Sequence, residues 1–266
     1  MTDVPRTRLL CSTVSLFPTP LHMAFGLLAR AGFDGVEVMV TKDPDTQDAG
    51  RLRELAEDHG LPVAAIHAPF LLMSRTVWGT DPLGKIDRAL ELAGSVGAGL
   101  VVVHPPYRWQ TAYRGWLDDR LPGIESETGI RVAVENMFPL RVRGRKVARF
   151  HPEHALEDLG QVPHVVLDTS HAAVAGLELV DVFSRIGERL VHVHLSNNAG
   201  RGWDSHLPLD EGVLDLDPLL RALAGAGFPG AVSLEIDLRR HREDETALLV
   251  ALRRNLDLAR SSLTPA

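Results

Sequence analysis

The strongest constraint on this chain is an alternation: a short run of β-branched and apolar residues, then a helical stretch, eight times over. The apolar runs fall at residues 9–16, 35–40, 62–67, 100–104, 131–135, 165–168, 190–195 and 231–235. Most of them are apolar at consecutive positions, as in VVLD or LVVVH, so both faces of each strand expect burial. The intervening segments predict helices over 20–31, 49–59, 81–97, 115–128, 152–159, 171–186, 216–226 and 243–261. Their punctuation is chemical. Gly32, Gly60 and Gly97 stand where helices stop, while Asp81 and Pro82 suit an N-cap and a first turn.

Strands covered on both faces and separated by helices imply a parallel sheet. Eight βα units in about 250 residues close most economically into a single (β/α)8 TIM barrel, an α/β fold read here as one domain over 1–266. A doubly wound open sheet would want a glycine-rich phosphate turn after strand one, and SLFPTP at 15–20 has no glycine. No run of roughly 18 apolar residues predicts a membrane span. The N-terminal MTDVPRTRLLCSTVSLF lacks the long apolar region of a secretory signal. Cys11, the sole cysteine, leaves no internal disulfide and fits a reducing cytoplasm. A formal charge of −7 gives no global attraction for nucleic acid. Exposed barrel helices leave a homo-oligomer open without naming an interface.

In such a barrel the chemistry sits at the C-terminal strand ends. Those ends carry His67, His104, Glu135, Asp168, His194 and Glu235, on six consecutive strands. His171, Asp204 and His206 lie just beyond strand ends. One such histidine alone is more often an edge residue with a hydrogen bond, and one such glutamate an ion-pair partner. Together they differ, because three carboxylates converging on one cavity repel unless protonated or neutralised by a cation. His192 alternates with His194 and reads as a core histidine one layer deeper. His22, His59, His151, His154, His164 and His241 fall in helices or loops.

The motifs IHAPF (66–70), VVVHPP (101–106), VAVEN (132–136), LDTSHAAVAG (167–176), VHVHLSNN (191–198), DSHLPLDEG (204–212) and SLEID (233–237) resemble, in this order, the xylose-isomerase-like TIM-barrel superfamily. That superfamily holds sugar isomerases, sugar and sugar-phosphate epimerases, inosose dehydratases and the endonuclease IV family. The ketose-epimerase pattern implies one divalent metal on Glu135, Asp168, His194 and Glu235, a donor set suited to Mn²⁺, Mg²⁺ or Co²⁺ and open to Zn²⁺. It also implies that Glu135 and Glu235 remove and return a proton next to a carbonyl, with the metal stabilising the enediolate, and that His171 holds a substrate oxygen. The endonuclease IV pattern implies up to three zinc ions instead. His67 and His104 with Glu135 would hold one, Asp168, His194 and Glu235 with the same Glu135 a second, and His171, Asp204 and His206 a third. Five imidazoles among nine ligands favour zinc.

The stretch after His194 resembles the HLPLGEG-type return of sugar isomerases more than the repair enzymes, which carry a second histidine soon after the Asp-x-His pair. Basic, wedge-bearing loops for duplex DNA are sparse. One basic loop, PLRVRGRKVARFHP, places Arg141, Arg143, Arg145, Lys146 and Arg149 after strand five, where they suit either solvent or an anionic group on a small substrate. Arg201 is a loose counterpart of an epimerase substrate arginine. Trp78, Trp109, Trp116 and Trp203 lie in or near loops of the same face. The leading expectation is a cytoplasmic, divalent-metal-dependent sugar or sugar-phosphate isomerase or epimerase. The alternatives are a phosphodiesterase or AP endonuclease, an inosose-type dehydratase, and a sugar-binding barrel without turnover.

Overall fold

The computed structural model describes residues 6–70, 74, 76–138, 140–142, 145–148 and 162–264, with residues 140–142 and 145–148 described by their backbone. Eight parallel strands close on themselves: β1 (Arg8–Ser12), β2 (Gly35–Met39), β3 (Val63–His67), β4 (Leu100–Val103), β5 (Arg131–Glu135), β8 (Val165–Asp168), β9 (Leu190–Leu195) and β10 (Ala231–Leu234). Around the ring they run β1-β10-β9-β8-β5-β4-β3-β2, each beside its neighbour in the chain, which is the (β/α)8 barrel expected. A further pair, β6 (Leu140–Val142) and β7 (Arg145–Ala148), forms a small antiparallel hairpin in the long segment after β5. The sequence predicts only a loop here, because runs this short, with basic residues breaking the pattern, carry no apolar signal. Arg143, Arg149, His151, His154 and the helix expected at 152–159 lie outside the described residues.

The helices follow their caps. Asp81 accepts from the N–H groups of Leu83 and Gly84 to start α3 (Pro82–Val96), and Gly97 ends it in the left-handed region, at φ 76°. Two expected helices are each split. The 115–128 stretch becomes α4 (Thr111–Asp119) and α5 (Leu121–Thr128), because Pro122 has no N–H to continue the first helix and starts a second. The 171–186 stretch becomes α6 (Thr169–Ala175) and α7 (Leu179–Ile186), separated by Gly176 at φ 78°. Strand one is also shorter than expected. After Ser12 the chain bends into a 3-10 turn (Thr13–Leu16), where Ser15 donates to the Leu234 carbonyl and accepts from the Ile236 N–H, tying the first mouth loop to the last strand.

Period-2 alternation sorts the strand side chains. Val101, Val103, Val132, Val134, Val165 and Leu167 join the helices in the main core. Ala65, Val102, Ala133 and Val166 form a separate cluster two residues before His67, His104, Glu135 and Asp168. This apolar layer is the floor on which the candidate ligands stand. The outer ring closes through α9 (Glu245–Leu263), which packs against α1 (Leu21–Ala31) and α8 (Asp217–Gly225). Leu252, fully buried in α9, is expected to cost about 2–5 kcal/mol on Leu252→Ala. Leu258→Ala on the outer face, 39% exposed, should stay within about 0.5 kcal/mol of the parent. Denaturant unfolding of the two variants checks both figures.

Candidate metal centre

Strand register sets part of the site: Asp168 pairs with His194 on the neighbouring strand, and Ser233, two residues before Glu235, pairs with the same His194 from the other side. Asp168 also answers a local question: why a buried strand should end on a carboxylate with histidine three residues on. Its Oδ1 accepts the His171 N–H at 2.7 Å, capping α6. Asn136 fixes the same residue from the next strand, accepting the Asp168 N–H at 2.6 Å and donating to its carbonyl at 3.2 Å.

Around Glu135 the imidazoles gather. Its Oε2 lies 3.3 Å from His67 Nε2 and 3.1 Å from His104 Nε2, while its Oε1 lies 3.3 Å from His171 Nδ1 and 3.2 Å from His194 Nδ1. Glu235 Oε2 approaches the same His194 Nδ1 at 3.3 Å. On the other side Asp204 Oδ2 lies 2.7 Å from His206 Nε2 and 3.3 Å from His171 Nε2. His206 holds φ 40°, a left-handed backbone that a histidine keeps only when its surroundings demand it.

Three rings are oriented by fixed acceptors. His67 Nδ1 donates to the Ala68 carbonyl at 3.1 Å, His171 Nδ1 to the Asn136 carbonyl at 2.9 Å, and His194 Nε2 to Glu37 Oε1 at 3.0 Å. In a neutral ring the opposite nitrogen is then a lone pair. Each of these lone pairs faces a carboxylate oxygen, an arrangement that repels unless a cation or a second proton lies between. Donor atoms about 2.1 Å from one tetrahedral ion stand about 3.4 Å apart, close to the spacings seen here. Asp168 Oδ2 and Glu235 Oε2 are buried with no hydrogen-bond partner, free to serve such an ion. The donor set therefore fits a divalent metal. Among the described residues four groups have donor atoms within 4.8 Å of one another: His67, His104 and Glu135; Glu135, Asp168 and His194; Asp168, His171 and His206; and, one layer deeper, Glu37, His67 and His194.

The cluster opens into a cavity of about 690 Å³. Phe17, Met39, Val40, Met137, Phe138 and Ile236 form an apolar wall, and Lys42 and Arg239 also line it. That is the size of a small-molecule site.

Comparison with known proteins places this architecture. Residues 25–256 match the family model described as xylose isomerase-like TIM barrel. The chain belongs to that family. An uncharacterized protein of Mycobacterium tuberculosis is 37% identical over 270 residues, covering 93% of this chain and 96% of the relative. A probable endonuclease 4 of Mycobacterium leprae is 29% identical over 228 residues, 76% of this chain and 86% of its own length. Among solved structures, D-psicose 3-epimerase with D-tagatose from Clostridium cellulolyticum H10 superposes with a TM-score of 0.72 at 15% identity, covering 97% of this chain and 100% of the epimerase. That likeness is one of fold.

Within this xylose isomerase-like barrel, all nine residues singled out at the strand ends meet at one mouth. Arg201 is placed elsewhere: its guanidinium lies over the exposed Trp203 ring, 5.9 Å from the centroid, and it does not line the cavity. Trp109 is also exposed and stacks on Tyr107, whereas Trp78 and Trp116 pack against the core. Sequence reading missed two residues, Glu37 and Asn136. Glu37 had a signal, a lone charge at the centre of the apolar run GVEVMV. Asn136 had none, since its role depends on β5 and β8 being neighbours.

Burial works against charge throughout the site. It pushes Asp168 and Glu235 up, whereas for Glu135 the His194 charge and the surrounding hydrogen bonds outweigh it and hold the carboxyl well below its usual range. For His206 burial is outweighed by the hydrogen bond it donates to Asp204 and by the charge of Asp168, which lift it to about 9. A raised histidine pKa adds stability that is fully present below the unfolded value near 6.5 and is lost as pH rises through 9. Metal-stripped protein should therefore lose stability between pH 6.5 and 9.5, and His206→Gln should flatten that slope, as read by denaturant unfolding across the range.

Proposed function

We propose that the barrel mouth is the active site of a divalent-metal-dependent isomerase or epimerase acting on a sugar or sugar phosphate. The observation that carries this reading is the placement of Glu135 and Glu235. Both line the cavity, and both reach the same His194 nitrogen from strands three places apart in the ring. Two carboxylates around one substrate carbon can take a proton from one face and return it at another. A divalent cation on Glu135, Asp168, His194 and Glu235 would supply the positive charge needed when a proton leaves a carbon beside a carbonyl.

The chain's own residues do the rest. Asn136 and the His171 N–H hold Asp168 in place, and the Asn136 carbonyl aims His171 toward the mouth. The apolar wall excludes water from the proton transfer and gives the substrate a face to pack on. Likeness in fold to sugar epimerases supports this choice of chemistry, and the concave, small-molecule-sized cavity supports a small substrate over a duplex. With its lone cysteine buried, the protein suits a reducing cytoplasm.

A second reading has its own support. All nine positions of the three-zinc pattern converge, more ligands than one ion needs, and a relative carries the name endonuclease 4. Such a centre would hydrolyse a phosphoester. Native metal content separates the two readings: about one ion per chain favours the isomerase, whereas three zinc ions favour the hydrolase. In deuterated water, candidate ketoses should gain label at a carbon-bound position, and Glu135→Gln or Glu235→Gln should slow the exchange roughly 10²–10⁴-fold. No label in a broad ketose panel, together with chelator-sensitive cleavage of a phosphodiester, would replace the first reading by the second.

A further inference from the structure

Glu37 lies at the centre of β2, fully buried inside the barrel beneath the ligand cluster. Among the described residues no lysine or arginine pairs with it. Its two oxygens are instead taken by two imidazoles from β9: Oε2 lies 2.7 Å from His192 Nε2 and Oε1 lies 3.0 Å from His194 Nε2.

With each carboxylate oxygen within hydrogen-bond distance of one imidazole, the carboxylate accepts twice and both Nε2 atoms donate. For His194 that leaves Nδ1 as the atom turned to Glu135, Asp168 and Glu235. A flipped ring or the other tautomer would present an N–H to the ion. His192 completes the clamp. By holding the second oxygen, with its ring 88° to that of His194, it stops the carboxylate from swinging away. The closed end of the barrel is consistent with this, since His192 also borders a cavity of about 30 Å³, room for one water that can serve its remaining nitrogen.

We infer that Glu37 is a positioning residue of the metal centre: it fixes the tautomer and ring plane of His194, and His192 fixes Glu37. This rests on the metal-dependent reading of the mouth. The test uses the full-length chain loaded with zinc, a diamagnetic probe, and the variants Glu37→Gln and Glu37→Asp. Glutamine accepts from only one of the two imidazoles, and aspartate keeps both acceptors but withdraws them by one methylene. Competition against a chromogenic chelator should show a 10–100-fold loss of zinc affinity in Glu37→Gln and a smaller loss in Glu37→Asp. Histidine ¹³C/¹⁵N spectra should report His194 ligated through Nδ1 in the parent and through a mixture of nitrogens in Glu37→Gln. A folded variant of either kind that binds zinc within twofold of the parent, with the His194 signals unchanged, overturns the proposal. A parent chain that fails to bind zinc defeats the metal reading itself, and Glu37's role with it.

Discussion

Everything at the mouth of this barrel depends on one electrostatic difficulty: carboxylates and imidazole lone pairs are held facing each other where water cannot screen them. Glu135 is nearly inaccessible to solvent and Asp168 and His194 wholly so, yet the rings are oriented so that acceptors meet acceptors. A protein interior tolerates such a set only with compensating positive charge, as extra protons or as a metal ion. The carboxyls are pulled in opposite directions: burial raises Asp168 and Glu235, whereas at Glu135 the His194 charge and the hydrogen bonds outweigh burial.

The fold supplies the rigidity that this crowding requires. Parallel strands in a closed ring share one register, so a residue's height in the barrel is set by hydrogen bonds over the whole sheet. The apolar layer of Ala65, Val102, Ala133 and Val166 supports the ligands from below, and the Asp168 cap couples the start of α6 to the same height. Moving one ligand would mean shifting a strand. That is why like charges can be held together here without the loops simply turning them to solvent.

The parts legible in the sequence are those governed by local chemistry. Asp81, Pro82 and Gly97 bound α3 as expected, and strand ends such as VAVE and VVLD mark the candidate ligands, because each signal lies within a few residues of its effect. Where the reading erred, a single residue overrode a longer pattern. Pro122 and Gly176 split helices whose periodicity ran through them. Asn136 was invisible for a different reason: its partners, the backbone of Asp168 and the ring of His171, are 32 and 35 residues away.

Glu37 shows how the two kinds of information combine. A lone acidic residue in a doubly buried strand is a local anomaly, but its meaning comes only when the closed ring lets β2 and β9, three places apart, meet across the barrel interior. There it turns His192, which by itself reads as an ordinary core histidine, into part of the support for His194. The ligand set and its underpinning thus form two layers of one network, the upper layer short of positive charge and the lower layer fixing which atoms face that shortage. Under the proposed function, chemistry at the mouth would be governed as much by a carboxylate that never meets the substrate as by the two that would.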